Sequence, residues 1–254
     1  MTVKTNKEIA TLREGGKRLA EVLRILSVAA KEGVTTVTLD QLAREEIEKR
    51  GCRPAFLHYT PGGATRPYPA TLCTSINNEV VHGVPNENPR TLKNGDIIAL
   101  DLGLVHEGLI VDAAITVGIG TIDAKARKLI ATAKKALAAG IGEATIGKHI
   151  GDISAAIGAT IEKPGFRAAN ELGGHGVGNR VHEEPFIPNW GMRGTGELLV
   201  EGMVLALEPI VNEGTSHIRQ LEDGYTIVTR DGKRSAHFEH TILVTKKGPE
   251  ILTR

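Results

Sequence analysis

Several things are scarce in this sequence. Aromatic residues make up 3% of the 254 residues, with a single Trp. A core must then be built from aliphatic side chains, and each ring is a candidate for a special position. Cysteine occurs twice, at Cys52 and Cys73, with no CxxC pair. Two thiols do not make a disulfide framework, and they suit a reduced, cytoplasmic setting. Net charge is almost absent at +1. Nothing in that balance calls for DNA, a membrane or an acidic partner. No apolar run approaches the roughly 20 residues needed to cross a bilayer. The opening residues, MTVKTNKEIATLREGGKRL, turn charged and helical at once and lack the apolar core of a signal peptide. The expectation is a soluble cytoplasmic protein, monomeric by default.

What is present fits a globular chain: 41% hydrophobic and 24% charged residues. Residues 6–32 read as one helix, because Ile9, Leu12, Leu19, Val22, Leu23 and Leu26 recur at helical spacing. Its Lys and Arg residues read as a solvated face. A second helix is predicted from Thr38, which with Gln41 resembles a capping box, to Gly51. A loop rich in Pro and Gly, PGGATRPYPATL, leads to a strand near Leu72–Ile76. Strands follow at about 96–105 and 109–119, helices at about 123–138 and 146–162, then mostly strands and turns. The stretches GVTTVTLDQLAREEIEKRGCRPA and GIGEATIGKHIGDISAAIGATIEKPGFRAA share a layout. Each follows a helix ending in Gly, opens on a Thr-containing turn, runs as a helix and closes on Gly-x-Arg. This predicts one α+β domain over 1–254 made of two similar halves, about 1–120 and 121–254, related by an approximate two-fold. The segment GEATIGKH nearly spells a phosphate-binding loop, but His149 replaces the metal-binding hydroxyl and no strand precedes it.

The most informative segment is GDIIALDLGLVHEGLIVDAAITV, residues 95–117. A four-residue turn over Val105–Gly108 would pair Leu104 with Leu109 and set Asp101 directly opposite Asp112. Opposed residues share a face, with Cβ atoms about 4.5–5.5 Å apart. Two carboxylates so close in apolar strands either share a proton or hold a cation between them, unless a bulge turns one to solvent.

Three further segments add polar groups in apolar or glycine-rich strands. In ELGGHGVGNRVHEEP, glycines surround His175, and His182 follows without forming HExxH. In MVLALEPIV, Glu208 ends an apolar run before Pro209; in SAHFEHTILV, Glu239 alternates with Phe238 and His240. Either glutamate alone reads as a salt-bridge partner. Together, two Asp, two Glu and one His form an oxygen-rich set that suits a pair of Mn, Fe, Co or Zn ions better than a structural zinc. Paired ions about 3.5–4 Å apart activate water and stabilise an oxyanion in metal-assisted hydrolysis.

These segments, with SINNEVVHGVP before them, occur in the order found in bacterial-type (type I) methionine aminopeptidases, and the chain resembles that family over nearly its whole length. The resemblance implies the pita-bread fold, α+β with pseudo-two-fold halves around an antiparallel sheet. It implies removal of the initiator methionine from nascent proteins when the second residue is small. It makes Asp101, Asp112, His175, Glu208 and Glu239 the ligands of two divalent ions, with Asp112 and Glu239 bridging. Asp101 would complete one ion, and His175 with Glu208 the other. It also makes Glu208 a proton shuttle, sets His182 on the substrate carbonyl and places His82 near the scissile amide. Cys73 matches a residue lining the methionine pocket, although it also reads as a small buried side chain. Tyr59 and Tyr68 are assigned to the same pocket.

Two departures from the family pattern fall there: TPGGATRPYPA is longer than the usual connection, and Val181 stands where Phe is common. The remaining histidines, His58, His106, His149, His217, His237 and His240, read as surface or hydrogen-bonded support. The implied partners are nascent N-terminal peptides, with transient ribosome contact. The nearest rival is a proline-directed peptidase of the same fold, such as a prolidase or aminopeptidase P. Those usually carry an extra N-terminal domain, and this chain begins about where the catalytic domain would. A non-catalytic binding relative would have lost ligands, and all five are here.

Overall fold

The computed structural model describes residues 3–254. Helix α1 spans Asn6–Ala29 and opens on a capping box. The Thr5 hydroxyl accepts the Glu8 N–H at 3.3 Å, and the Glu8 carboxylate accepts the Thr5 N–H at 2.7 Å. Helix α2 spans Thr36–Lys49. The expected box at Thr38 and Gln41 does not form; Thr35 is the cap, accepting the Thr38 N–H at 3.2 Å. Tertiary contact chose between the threonines: buried Thr36 donates its hydroxyl to the Pro85 carbonyl at 2.8 Å, which fixes the helix start earlier. Gly51, at φ +66°, follows the end of α2, as expected.

The first strands are β1 (Arg53–Pro54), β2 (Cys73–Ile76), β3 (Glu79–Val81), β4 (Ile97–His106) and β5 (Leu109–Gly118). Helices α3 (Ala124–Glu143) and α4 (Ile150–Glu162) come next. Asp123 caps α3 as a first-turn acceptor. Helix α4 starts later than the predicted 146, because Gly147 adopts φ +86° and breaks the helical path. Then come β6 (Arg167–Ala168), β7 (Gly173–Gly176), β8 (Glu183–Pro188), β9 (Val204–Leu207), β10 (Ile210–Asn212), β11 (Ile218–Gln220), β12 (Ile227–Thr229), β13 (Ser235–His237), β14 (Glu239–Thr245) and β15 (Gly248–Ile251).

Nine strands form the main sheet, in the order β1-β4-β5-β14-β9-β7-β8, with β2 also on β4 and β15 on β14. Two three-stranded sheets, β13-β10-β6 and β11-β12-β3, flank it. All the strand pairs are antiparallel. One core packs Leu12, Leu19, Val22 and Leu26 of α1 and Leu39, Ala43 and Ile47 of α2 on Leu100, Leu102, Leu104 and Val111. A second packs Leu129, Ala133 and Ala136 of α3 and Ile153, Ile157 and Ile161 of α4 with Leu205, Leu207, Ile242 and Val244. Aliphatic side chains dominate both, as the aromatic poverty requires. The order helix, helix, short strand thus appears twice, and each copy closes on Gly-x-Arg: Gly51-Cys52-Arg53 into β1 and Gly165-Phe166-Arg167 into β6. No helix among the described residues is long and apolar enough to cross a membrane.

The hairpin register differs from the one predicted. His106 pairs with Leu109 across a two-residue turn, Glu107 at φ +46° and Gly108 at φ +85°. A turn with both central residues at positive φ matches strand twist better than the expected four-residue loop. Asp101 therefore faces Ala114, and Asp112 faces Gly103. The shift is by two residues, so it preserves the face. The two aspartates remain on one side of the sheet as diagonal neighbours rather than as a direct pair.

Candidate metal centre

A row of paired residues crosses four strands: Cys73 faces Asp101, Asp101 faces Ala114, and Ala114 faces Glu239. Paired residues point to one face, so the two carboxylates flank a small alanine that leaves room between them. Asp112 lies two residues along β5 from Ala114, on the same face. His175 enters from β7, paired with Ala206 on β9. Its glycine neighbours are sterically required: a Cβ on Gly174 would lie 2.2 Å from the Ala206 carbonyl oxygen, and one on Gly176 2.4 Å from that of Glu184. Glu208 follows β9 directly, and His237 closes β13.

These side chains form two groups. Asp101, Glu208 and His237 offer ligand atoms within 4.8 Å of one another, and so do Asp112, His175 and Glu239. His175 Nε2 lies 3.8 Å from Glu239 Oε1, and His237 Nε2 lies 3.6 Å from Glu208 Oε1. Asp101 Oδ1, Asp112 Oδ1, Glu239 Oε1 and both His237 ring nitrogens are buried without a hydrogen-bond partner. Orphan polar atoms of this kind cost about 1–3 kcal/mol each, and more when charged. Burial first, then repulsion from neighbouring carboxylates, holds Asp101, Glu208 and Glu239 well above the ordinary carboxylate range. Burial lifts Asp112 to about 7, with the Ala113 N–H pulling against it. Burial lowers His175 and His237 to about 3, which leaves both imidazoles neutral and able to ligate. Four enclosed carboxylates with neutral imidazoles fit two divalent cations, which would supply the missing counter-charge and partners.

The other predicted residues surround this cluster. A cavity of about 90 Å³ is lined by Tyr59, Tyr68 and Cys73, together with Phe56, Val181 and Tyr225. The Tyr68 hydroxyl donates to the Gly83 carbonyl at 3.0 Å, and its ring meets Tyr225 edge-on at 5.0 Å. The long 60–70 connection folds over this cavity: Arg66 donates to the Asp223 carbonyl at 2.7 Å and pairs with Glu87. Outside lies an open cleft of about 680 Å³, reaching Val81, Leu172, Arg180, Phe186 and Ile210. His82, His175, His182 and Glu208 line both chambers. His82 holds a left-handed backbone, φ +58°, and enclosure lowers it to about 4. His182 stands at the exposed mouth, its Nδ1 3.1 Å from the Tyr59 hydroxyl and its ring 4.5 Å from that of His175.

One sequence expectation fails here. His237 is fully buried within the acidic cluster, so it is neither surface nor hydrogen-bonded support. The signal for it was present: His237 and Glu239 are two apart in a strand, which puts them on one face. The supporting roles do fit several others. His240 Nδ1 meets the Thr253 hydroxyl at 2.9 Å, His106 packs beside Cys52 and Arg18, and His58 and His217 are exposed.

A sequence model of metallopeptidase family M24 matches residues 10–246. The chain belongs to metallopeptidase family M24. Within that family it is similar to the methionine aminopeptidase of Aquifex aeolicus, 46% identical over 98% of this chain and 97% of that one. It is 42% identical to the methionine aminopeptidase of Clostridium perfringens, over 99% and 98%. The crystal structure of the Thermotoga maritima methionine aminopeptidase superposes with a TM-score of 0.94 at 40% identity, covering 100% of this chain and 99% of that one. A Pyrococcus horikoshii prolidase matches at 20% identity with a TM-score of 0.77, which shows a shared pita-bread fold and no more. The curled antiparallel sheet and paired helices of this M24 chain are the ones expected from its sequence.

Proposed function

We propose that this chain is an aminopeptidase that removes the initiator methionine from nascent proteins whose second residue is small, and that residues 1–254 act as one catalytic domain. The observation that carries the reading is the junction between the two chambers. A cavity of about 90 Å³, lined by rings and aliphatic groups beside the acidic cluster, suits one apolar N-terminal side chain, and the open cleft suits the chain that follows. The four residues common to both walls, His82, His175, His182 and Glu208, then stand at the first peptide bond.

Asp101, Asp112, His175, Glu208 and Glu239 would hold two divalent ions of Co, Mn, Fe or Zn. Such a pair, when bound, supplies an activated water and polarises the scissile carbonyl. Glu208, enclosed and lining both chambers, carries the proton from the attacking water to the leaving amine. His182 donates a hydrogen bond to the substrate carbonyl as negative charge develops on its oxygen. The Tyr59 hydroxyl engages Nδ1 of that ring, which leaves Nε2 for the substrate. His82 steadies the scissile amide. Tyr59, Tyr68 and Cys73 line the methionine side chain's cavity. Nascent chains as substrates place the enzyme in the cytoplasm, as a monomer in transient contact with ribosomes.

Hydrolysis of a Met-Ala-Ser peptide against an X-Pro peptide tests the reading. Release of methionine from the first alone is expected; turnover of only the X-Pro peptide would transfer the chain to the proline-directed relatives. Asp101→Asn and Glu208→Gln should lose both bound metal and turnover. Full activity in either variant would refute the two-metal assignment.

A further inference from the structure

We propose that His237 is a sixth protein ligand of the metal pair, placed beside Glu208. The inference rests on the two-metal reading above and adds a residue to it. Its first support is distance. His237 Nε2 lies 3.6 Å from Glu208 Oε1, too far for a hydrogen bond. Ligand atoms bound to one ion at about 2.1 Å sit roughly 3–4 Å apart, so the same spacing fits co-ligation. His175 Nε2 and Glu239 Oε1, in the assigned set, show a similar 3.8 Å.

The second support is the lack of any other role. A buried histidine normally satisfies its ring through a carbonyl, a carboxylate or water. Here the residue is 0% exposed and neither ring nitrogen finds a partner; the Val80 carbonyl is near but outside hydrogen-bond geometry. A merely structural imidazole would be left with the full cost of burial.

The third support is preorganisation. The Thr116 hydroxyl accepts the His237 N–H at 3.0 Å and donates to the His237 carbonyl at 2.7 Å. Strand alternation then sends His237 and Glu239 to the same side. The backbone is therefore pinned next to the cluster on both of its polar groups, which is what a ligand of fixed geometry needs. The ligand atoms of His237, Asp101 and Glu208 all lie within 4.8 Å of one another, as close as those of Asp112, His175 and Glu239. A second imidazole shifts preference away from Mn and towards Co, Fe or Zn.

The test uses the full chain loaded with Co(II) and read by proton NMR. Each ligating imidazole contributes one solvent-exchangeable, hyperfine-shifted N–H signal. Two such signals are expected in the wild type and one in His237→Gln. The variant should bind one Co(II) at least about tenfold more weakly, with a smaller loss for Mn(II). A wild-type protein holding two Co(II) but showing a single shifted N–H overturns the role of His237 and leaves the two-metal site intact. Failure to take up two Co(II) sinks both readings. If the variant does not fold, the wild-type signal count still decides.

Discussion

The Thr241 hydroxyl replaces a rung of the sheet at Asp112, accepting the Asp112 N–H at 2.9 Å and donating to the Asp112 carbonyl at 2.7 Å. Thr116 does the same for His237, so two threonine clamps bracket the β5–β14 pairing at Ala114 and Glu239. The clamps satisfy the backbone N–H and carbonyl of Asp112 and of His237 where the strands part beside the acidic side chains. Thr241→Val keeps the shape and removes both bonds. It should lower the unfolding free energy by about 1–3 kcal/mol, the cost of stranding buried donors and acceptors. Thr241→Ser should recover much of that. Denaturant titration of the metal-free proteins measures it, and an unchanged midpoint in the valine variant would disprove the clamp's contribution.

The acidic cluster makes a pH prediction for metal-free protein. Asp101, Glu208 and Glu239 are held well above the usual carboxylate range and Asp112 near 7. Carboxylates raised by folding bind protons that the unfolded chain has released, so stability is lost as pH rises through the folded pKa. His82, His175 and His237, lowered to about 4, 3 and 3, act in the opposite direction but only below about 6.5. Between pH 6.5 and 8 the carboxylates act alone, and the metal-free stability should fall. Asp112→Asn should flatten that slope. Metal uptake near pH 7 should release protons, visible as a buffer-dependent heat in calorimetry. A metal-free stability that rises over this window would contradict the electrostatics.

Asp101 and Asp112 show what a sequence can and cannot fix. Their shared face followed from period-two alternation alone, and it survived a two-residue error in register. The error came from turn choice: Glu107-Gly108 lacks the usual Asn-Gly signal, so nothing local marked a two-residue hairpin. Thr35, Thr36 and Thr38 present three similar caps, and only the buried contact of Thr36 with Pro85 selects the first. His237 reads as support from its local sequence, because Glu208, which it approaches, is remote in the chain. Tyr225 was invisible for the same reason, since its contact with Tyr68 joins distant segments. Strand periodicity is legible locally, whereas contacts between distant strands and loops are not.

Tyr59 offers a catalytic prediction that leaves the metals alone. Its hydroxyl is 3.1 Å from His182 Nδ1, and His182 sits at the exposed mouth where walls of the cleft lower its pKa. Tyr59→Phe keeps the ring in the cavity wall and loses the bond that orients the imidazole. A loss in kcat of roughly tenfold is expected, with bound metal unchanged, because an orienting partner acts through the group it holds. His182→Ala should lose more, and Tyr59→Phe in that background should then cost little. Additive losses would show that Tyr59 does not work through His182.

The last prediction concerns the loop over the smaller cavity, the one proposed to take the methionine side chain. Arg66 pairs with Glu87, stacks 5.5 Å from the Tyr225 ring centre and donates to the Asp223 carbonyl at 2.7 Å. In return the Tyr225 hydroxyl donates to the Arg66 carbonyl. The ion pair is half exposed and contributes only about 0–1 kcal/mol. The bond to Asp223 and the ring contact hold the loop more firmly, and both are lost in Arg66→Ala. The variant keeps every side chain that lines the cavity, so its effect should be on binding rather than chemistry. KM for Met-Ala-Ser should rise by about tenfold with kcat little changed, the pattern of interactions made equally in ground and transition states. Glu87→Gln should have a much smaller effect. A variant whose kcat falls while KM holds would instead show that this loop governs the reacting bond and not the pocket.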